Sequence, residues 1–403
     1  MSNMPTLRFK EFSGVWVEKP LGKYGKLING LTYSPDNIVE DGLLVLRSSN
    51  IQNEHISFED NVYVNLDVDK DYLTQENDIL ICVRNGSKRL IGKSLLIKNG
   101  LPKATHGAFM TVFRGASNKF ISHWLKTPMF FKEVHKNLGA TINSINGSNL
   151  KKFKTFFPKE QEQEKIASFL TSVDTKIEQL VRKEELLRLY KKGVMQRIFN
   201  QEIRFKADNG SEFPEWEEKR FEQVFKRITR KNKENNQNVL TISAQQGLIN
   251  QEEYFKKSVS AKDVTGYYLL HKDDFAYNKS YSKGYPLGAI KRLKKYEKGV
   301  VSTLYICFKA IKDNKDFLEQ YFEGGMLNHE IHKIAQEGAR NHGLLNVSVT
   351  EFFKDIKLFL PSQKEQNKIA NFLSSIDTKI QQAQNQLKQT KEFKKALLQQ
   401  MFV

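Results

Sequence analysis

From Ile166 the apolar positions recur in steps of four and three: Ile166, Leu170, Val173, Ile177, Leu180, Leu187, Val194 and Ile198. The same spacing returns from Ile369, through Leu373, Ile376, Ile380, Ala383, Leu387, Leu397 and Met401. Such steps keep one face of an α-helix apolar and predict two helices with a heptad seam. Each helix extends over ~38–40 residues, or ~58 Å at 1.5 Å per residue. The seam is interrupted by Glu184 and Lys191 in the first stretch and by Thr390 and Lys394 in the second. Both stretches follow a proline, Pro158 and Pro361, which discourages a helix from running through from upstream. Ser362 and Glu365 have the spacing of a capping box, and Glu162 stands at the matching place in the first copy. The segments between read differently, as short β-rich runs such as DGLLVLRSS, NDILICVR, AFMTVFR, NVLTISA and TLYICFKA, separated by polar loops. One amphipathic helix precedes each long one, in KFISHWLKTPMFFKEVHKNL and DFLEQYFEGGMLNHEIHKIAQ.

The two long helices are copies. At an offset of 203 residues, 13 of the 18 positions from Glu162 to Gln179 are identical, and the register holds without a gap until KKGVMQRIF lies over KKALLQQMF. Two equal stripes on one chain predict an antiparallel helix pair about an internal two-fold axis. The repeat reaches further. RFK occurs at Arg8–Lys10 and Arg204–Lys206, and Trp-x-Glu-Lys follows at Trp16–Lys19 and Trp216–Lys219. LRSSNIQNEHI from Leu46 resembles LTISAQQGLI from Leu240, and Asn143 falls over Asn346. The expected layout is a variable α/β domain over 1–155, a helix over 156–200, a second variable domain over 201–358 and a second helix over 359–403.

Charge narrows the partner. With 64 Lys+Arg against 46 Asp+Glu the net charge is +18, which favours a polyanion, nucleic acid before an anionic membrane. VRNGSKRLIGK from Val83 and AYNKSYSKGY from Ala276 are basic, polar loops at comparable places, rich in side chains that donate to phosphates or pair with base edges. The candidate DNA-binding residues are Arg47, Ser48, Ser49, Asn50, Arg84, Asn85, Ser87, Lys88, Arg89, Asn143 and Ser144 in the first domain. In the second they are Ser243, Gln245, Gln246, Tyr277, Asn278, Lys279, Tyr281, Arg340, Asn341 and His342. The candidate seam of the helix pair is Ile166, Leu170, Val173, Ile177 and Leu180 with Ile369, Leu373, Ile376 and Ile380.

Motifs for chemistry are missing. GSKRLIGKS has five residues between its glycines where a P-loop needs four, and HEIH from His329 is not the zinc motif H-E-x-x-H. No catalytic residue and no metal site is expected. Cys82 and Cys307 each lie in an apolar run and are expected to be buried free thiols. No apolar run reaches the ~20 residues of a membrane span and MSNMPTLRFKEF has no signal core, so a cytoplasmic location is expected.

The layout resembles the specificity subunit of type I restriction-modification systems. The helices IASFLTSVDTKIE and IANFLSSIDTKIQ, each after FFP or FLP and running on to a basic-apolar end, carry the likeness. The resemblance implies an α+β chain with two α/β target recognition domains in pseudo-two-fold arrangement, separated by two long antiparallel coiled-coil helices. It implies that each domain reads one half of a bipartite, asymmetric site in double-stranded DNA and that the helices set the gap. Two methyltransferase (modification) subunits carrying S-adenosylmethionine and restriction motor-nuclease subunits using ATP and Mg would be the partners. No cofactor is then expected in this chain and no membrane contact. A non-catalytic coiled-coil scaffold and a stand-alone DNA-modifying enzyme are the alternative readings.

Overall fold

Both long helices form, over Glu160–Phe199 and Gln363–Gln400, in the computed structural model of the protein. The structure describes residues 4–138, 143–256, 260–261, 263–282, 284–335 and 345–403. The chain divides into two compact units, Met1–Val181 with Gln384–Val403 and Arg182–Ala383. Each long helix therefore opens in one unit and closes in the other. The expected boundaries after 155 and 358 cut the strands Lys154–Phe157 and Lys357–Leu360, so each long helix is preceded by a strand that belongs to its unit's sheet.

The first unit holds an antiparallel four-stranded sheet in the order Gly25–Asn29, Met110–Gly115, Ile79–Cys82, Ser94–Leu96. The second repeats it as Phe225–Arg227, Ile306–Ala310, Phe275–Asn278, Ala289–Arg292. A two-stranded ribbon leads into each long helix, Val17–Pro20 with Lys154–Phe157 and Glu217–Arg220 with Lys357–Leu360. The Trp-x-Glu-Lys repeats lead into these ribbons, with Trp16 and Trp216 one residue ahead of the strands and both buried. A further sheet in the first unit runs Ala104–His106, Leu43–Leu46, Tyr63–Val64, Ile38–Val39, its first pair parallel.

The predicted seam residues are buried, with Ile177 partly so. What they meet is richer than a helix pair. In the first unit Ile166, Leu170 and Val173 share a core with Trp16, Phe120 and Trp124 and with Leu397, Leu398, Met401 and Phe402 from the closing turns of the other long helix. In the second unit Ile369, Leu373, Ile376 and Ile380 join Phe317 and Tyr321 and the closing residues Met195, Ile198 and Phe199. Opening turns beside closing turns make the pairing antiparallel within each unit. Removing a leucine such as Leu170 from water is worth about 1.5–3 kcal/mol, so these clusters anchor helices whose outer faces are polar.

The RFK repeat pins the helix starts. Arg8 donates from Nε and Nη2 to the two carboxylate oxygens of Glu162, both at 2.7 Å, and Glu162 is buried. Arg204 does the same to Glu365 at 3.4 and 3.2 Å. Phe9 packs edge-on to Phe169 at 5.7 Å and Phe205 to Phe372 at 5.5 Å. Even the backbone repeats: the Leu7 amide donates to the Gln400 carbonyl and the Ile203 amide to that of Arg197.

The single amphipathic helix expected before each long one is instead a broken pair. Asn118–Trp124 stops before Thr127, which caps Pro128–Lys136 with Pro128 in its first turn. Lys315–Glu323 and Asn328–Ile334 are separated at Gly324 and Gly325, the latter at φ +76°. Cys82 and Cys307 are buried free thiols as expected, and burial pushes them up to about 11 and about 12.

Candidate nucleic-acid interface

In the first unit the strand Ile79–Cys82 runs out into Val83–Leu90, the basic loop, which closes in a short 3-10 turn at Lys88–Leu90. Two other segments fasten it. The amides of Val83 and Arg84 both donate to the Phe109 carbonyl, and the Ile145 amide to the Val83 carbonyl. Asn85 donates through Nδ2 to Ser48 Oγ at 3.0 Å, and Asn143 donates to the Gly86 carbonyl at 2.9 Å. Arg84 bridges to Ser144 and lays its guanidinium over the Phe109 ring, 5.8 Å from the centroid. Arg47, Ser48, Asn85, Ser87, Arg84, Asn143 and Ser144 are thus gathered into one loop cluster. Lys88 and Arg89 stand exposed beside it, without an ion-pair partner among the described residues. An exposed guanidinium stacked on an aromatic face and flanked by amide side chains can hold a phosphate or a guanine edge. Phe109 is 54 % exposed, although AFMTVFR reads in the sequence as a buried strand.

Arg47 and Ser49 are partly engaged already. Arg47 lies 2.8 Å from a carboxylate oxygen of Asp60, and hydrogen bonds from Ser49 and Arg47 hold that exposed carboxyl below its usual range. Asn50 is corrected to a structural role. It is fully buried, its Oδ1 accepts from the Arg47 amide, and its Nδ2 donates to the Ser57 carbonyl, so no edge is left to read a base.

The second unit repeats the arrangement at the end of Phe275–Asn278. The Leu345 amide donates to the Lys279 carbonyl, as Ile145 does to Val83 in the first unit. Asn278 caps the following turn through the Ser280 amide, Lys279 is half-buried, and Tyr281 is 60 % exposed. Gln245 and Gln246 stand exposed on the turn between Leu240–Ser243 and Gly247–Asn250, where Gly247 takes φ +77°. Two candidates are corrected. Tyr277 is a core residue, stacked on Phe352 at 5.2 Å with its hydroxyl donating to the Leu287 carbonyl. Ser243 is buried and its Oγ accepts from the Gln246 amide, shaping the turn. Arg340, Asn341 and His342 lie outside the described residues.

A cleft of about 740 Å³ opens beside Gln245, lined among others by Lys191, Lys192, Lys291, Lys294 and Glu323. Lys291 is buried there, over the Tyr285 ring at 4.5 Å and 2.5 Å from Glu323, which also accepts from the Tyr285 hydroxyl at 2.6 Å. Burial and the Glu323 carboxylate push the Tyr285 phenol well above its ordinary value. Lys291 sits in a strand in PLGAIKRL, where sequence alone gives no sign that a lysine is inside. Among the described residues no group of three or more His, Cys, Asp or Glu is placed to hold a metal, and no helix is long and apolar enough to cross a membrane.

Residues 14–188 match the family of the type I restriction modification DNA specificity domain. A putative type I restriction enzyme MjaX specificity subunit from Methanocaldococcus jannaschii is 26 % identical over 351 residues, covering 80 % of this chain and 76 % of that one. Among solved structures, the type I restriction-modification S subunit from M. genitalium superposes with a TM-score of 0.61 at 16 % identity, over 99 % of both chains. A chain from a structural study of complex assembly and conformational transition of the type I R-M system gives 0.52 at 11 % identity, covering 95 % of this chain and 96 % of that one. The doubled sheets and paired helix starts accompany this match: over residues 14–188 the chain is similar to the type I restriction modification DNA specificity domain, and its fold is similar to that of the solved S subunit.

Proposed function

We propose that this chain reads a split, asymmetric DNA site, one half through each unit, and presents two modification subunits to the adenines within it. The observation that carries this reading is the polar loop repeated at the same strand end of both sheets, with Arg84, Asn85, Lys88 and Arg89 in one unit and Asn278, Lys279 and Tyr281 in the other. Different side chains on the same frame suit unlike half-sites. The major groove distinguishes all four base-pair orientations, and loops of this size reach into it. Phosphate neutralisation by a chain of +18 supplies affinity, while the amide and guanidinium groups supply choice.

The long helices fix the unread gap and offer the protein partners a surface. Leu186, Leu189 and Tyr190 on the first, and Phe393 on the second at the position matching Tyr190, are large apolar side chains open to solvent. Exposed apolar side chains of this kind mark interaction sites when they cluster, as Leu186, Leu189 and Tyr190 do in sequence. Methyl transfer from S-adenosylmethionine belongs to the modification subunits, and ATP- and Mg-dependent cleavage to restriction subunits recruited later; this chain contributes address, not chemistry.

The test is a methylome. The chain is expressed with its modification subunit in a host without adenine methylation, and modified bases are read by single-molecule sequencing. One split motif marked on both strands, lost when this chain is omitted, is the expected result. Marks that persist without the chain, or an active partner that yields no split motif, overturn the proposal.

A further inference from the structure

In the first unit the hairpin Ile51–Gln52 and His55–Ile56 turns through two left-handed residues, Asn53 at φ +49° and Glu54 at φ +64°. Asparagine tolerates that region; glutamate rarely enters it unless its surroundings over-determine the conformation. Here the surroundings do. The Glu54 carboxylate accepts from Lys126 Nζ at 2.8 Å and from Lys394 Nζ at 2.9 and 3.0 Å. Lys394 lies on the second long helix, is buried, and also sits 2.5 Å from Asp174 on the first. The neighbouring His55 lies 3.9 Å from Glu178, one turn further along that helix, and Lys98 reaches the same carboxylate at 2.6 Å. Burial works against the charge on Glu54, but the two ammonium groups outweigh it and hold the carboxyl down to about 2.

The other end of this hairpin is the candidate reading turn. Ile51 follows Asn50 directly, the Ser57 amide and the Asn50 carbonyl close the loop, and Ser48 takes the hydrogen bond from Asn85. One short, stiff element therefore joins the Arg47–Asn50 turn at one end to both long helices at the other. Among the described residues the second unit shows no equivalent of this device. Lys191 pairs with Asp377 there at 2.6 Å, yet the hairpin turning at Ser243–Gly247 sends no carboxylate to it among the described residues. The cleft beside Gln245 is open to Lys191 instead.

We propose that Glu54 is a positioning residue for DNA reading by the first unit: it clamps the hairpin that carries the Arg47–Asn50 turn onto the paired lysine and aspartate of the two long helices. This rests on the reading of that turn as part of the DNA interface. The clamp makes the helices a reference frame for the first reader as well as a spacer. Recognition of one half-site then depends on a carboxylate that touches no DNA, whereas the turn of the second unit shows no such tie among the described residues.

The experiment uses the full chain with its modification subunits. Glu54→Gln keeps the size of the side chain and removes its charge. Two readouts are taken: amide hydrogen exchange of residues 51–57, and the methylated motif. The expected result is faster exchange at 51–57 with no change in the strand Ile79–Cys82, and a motif relaxed roughly tenfold in one half only, the size of one lost base contact. Lys394→Arg, which keeps the charge and its donors, should preserve both readouts, and Lys394→Met should reproduce the loss. Unchanged exchange in Glu54→Gln means the clamp does not hold the hairpin and sinks the proposal. Faster exchange with an unaltered motif sinks the link to reading, and an equal loss in both halves with a lower Tm reduces the effect to general destabilisation. If the unaltered chain gives no split motif, both readings of the DNA interface fall, and the exchange result alone decides whether Glu54 holds the hairpin.

Discussion

Asp174 and Lys394 meet across the helix pair, with Oδ1 2.5 Å from Nζ, and Asp377 and Lys191 meet at 2.6 Å in the other unit. Each aspartate comes from the Asp-Thr-Lys-Ile copy of one helix, and each lysine from the Lys-Lys copy near the end of the other. The lysines interrupt the apolar seam because the seam carries a charged bond at that level. The two bonds differ in depth. Lys394 and Asp174 are 8 % and 18 % exposed and share Glu54 and Lys126, while Asp377 is 43 % exposed. Removing one partner of a buried pair leaves the other charge stranded, whereas an exposed pair is screened. Lys394→Met should therefore destabilise the first unit by about 2–4 kcal/mol, allowing for its partial exposure, and Lys191→Met the second by about 1 kcal/mol or less. Trp16 and Trp124 report on the first unit and Trp216 on the second, so denaturant titration of a Trp216→Phe background isolates the first. Equal losses in the two units would show that burial does not set the difference.

Arg8 makes a prediction about the segment ahead of the first sheet. Its guanidinium pairs with a Glu162 side chain that is 2 % exposed and also donates to the Ser13 and Gly14 carbonyls. Arg8→Met should cost the first unit about 3–5 kcal/mol, because a carboxylate is left buried without its cation. The double change Arg8→Met with Glu162→Met should recover most of that loss. Arg204→Met should act likewise on the second unit through Glu365. A double variant no better than the single one would mean that Arg8 acts through its packing alone.

The helix copies were legible because a heptad stripe is a local signal, repeated many times along one element. The RFK repeat was visible too, yet its task was not, since Arg8 and Glu162 stand 154 positions apart and meet only in the folded unit. Lys191 and Lys394 read as breaks in the seam for the same reason. Errors concentrate where a strand ends. A polar residue there can point out, as Asn85 and Lys279 do in part, or be drawn inside, as Asn50, Ser243 and Tyr277 are. Alternation along a strand of four residues is too short to tell the two apart. The split of each amphipathic helix pair was written in Pro128 and in Gly324–Gly325, punctuation that the apolar spacing around them outweighed.

His123 should make the first unit acid-sensitive. Its ring is buried beside Thr171 at 3.3 Å and Asp174 at 3.9 Å, and burial, with Lys126 and Lys394 adding to it, pushes its pKa down to about 3. The folded ring stays neutral while the unfolded chain takes a proton below about 6.5, so the unfolded state binds more protons in between. Stability therefore falls as pH falls from about 6.5 towards about 3, by up to ~1.4 kcal/mol per pH unit. His106, also lowered by burial, acts in the same direction. Glu54 begins to contribute only near its unfolded value of about 4.5 and below, where its stabilisation is lost on the way down to about 2. The second unit has Gln320 against Asp377 at the corresponding contact, donating at 2.8 Å and unable to titrate. His123→Gln should flatten the first unit's Tm between about pH 6.5 and 5. A profile unchanged by that substitution would place the acid sensitivity elsewhere.

Within the loop proposed to read DNA, three substitutions should separate three kinds of contact. Arg84 is exposed and stacks on Phe109, so Arg84→Ala should cost about 1–3 kcal/mol of binding and relax one base position if it reads guanine. Lys88 is an exposed point charge, so Lys88→Ala should weaken binding to all duplexes alike and reduce the salt slope by about one. Asn50→Ala removes the side chain that bonds the Arg47 amide and the Ser57 carbonyl, so it should lower Tm before it alters the motif. Competition binding on single-base duplex variants, repeated across a salt series with Tm measured in parallel, distinguishes them. A uniform loss for Arg84→Ala would assign it to phosphate. A relaxed motif at unchanged Tm for Asn50→Ala would return that residue to the interface, against its burial here.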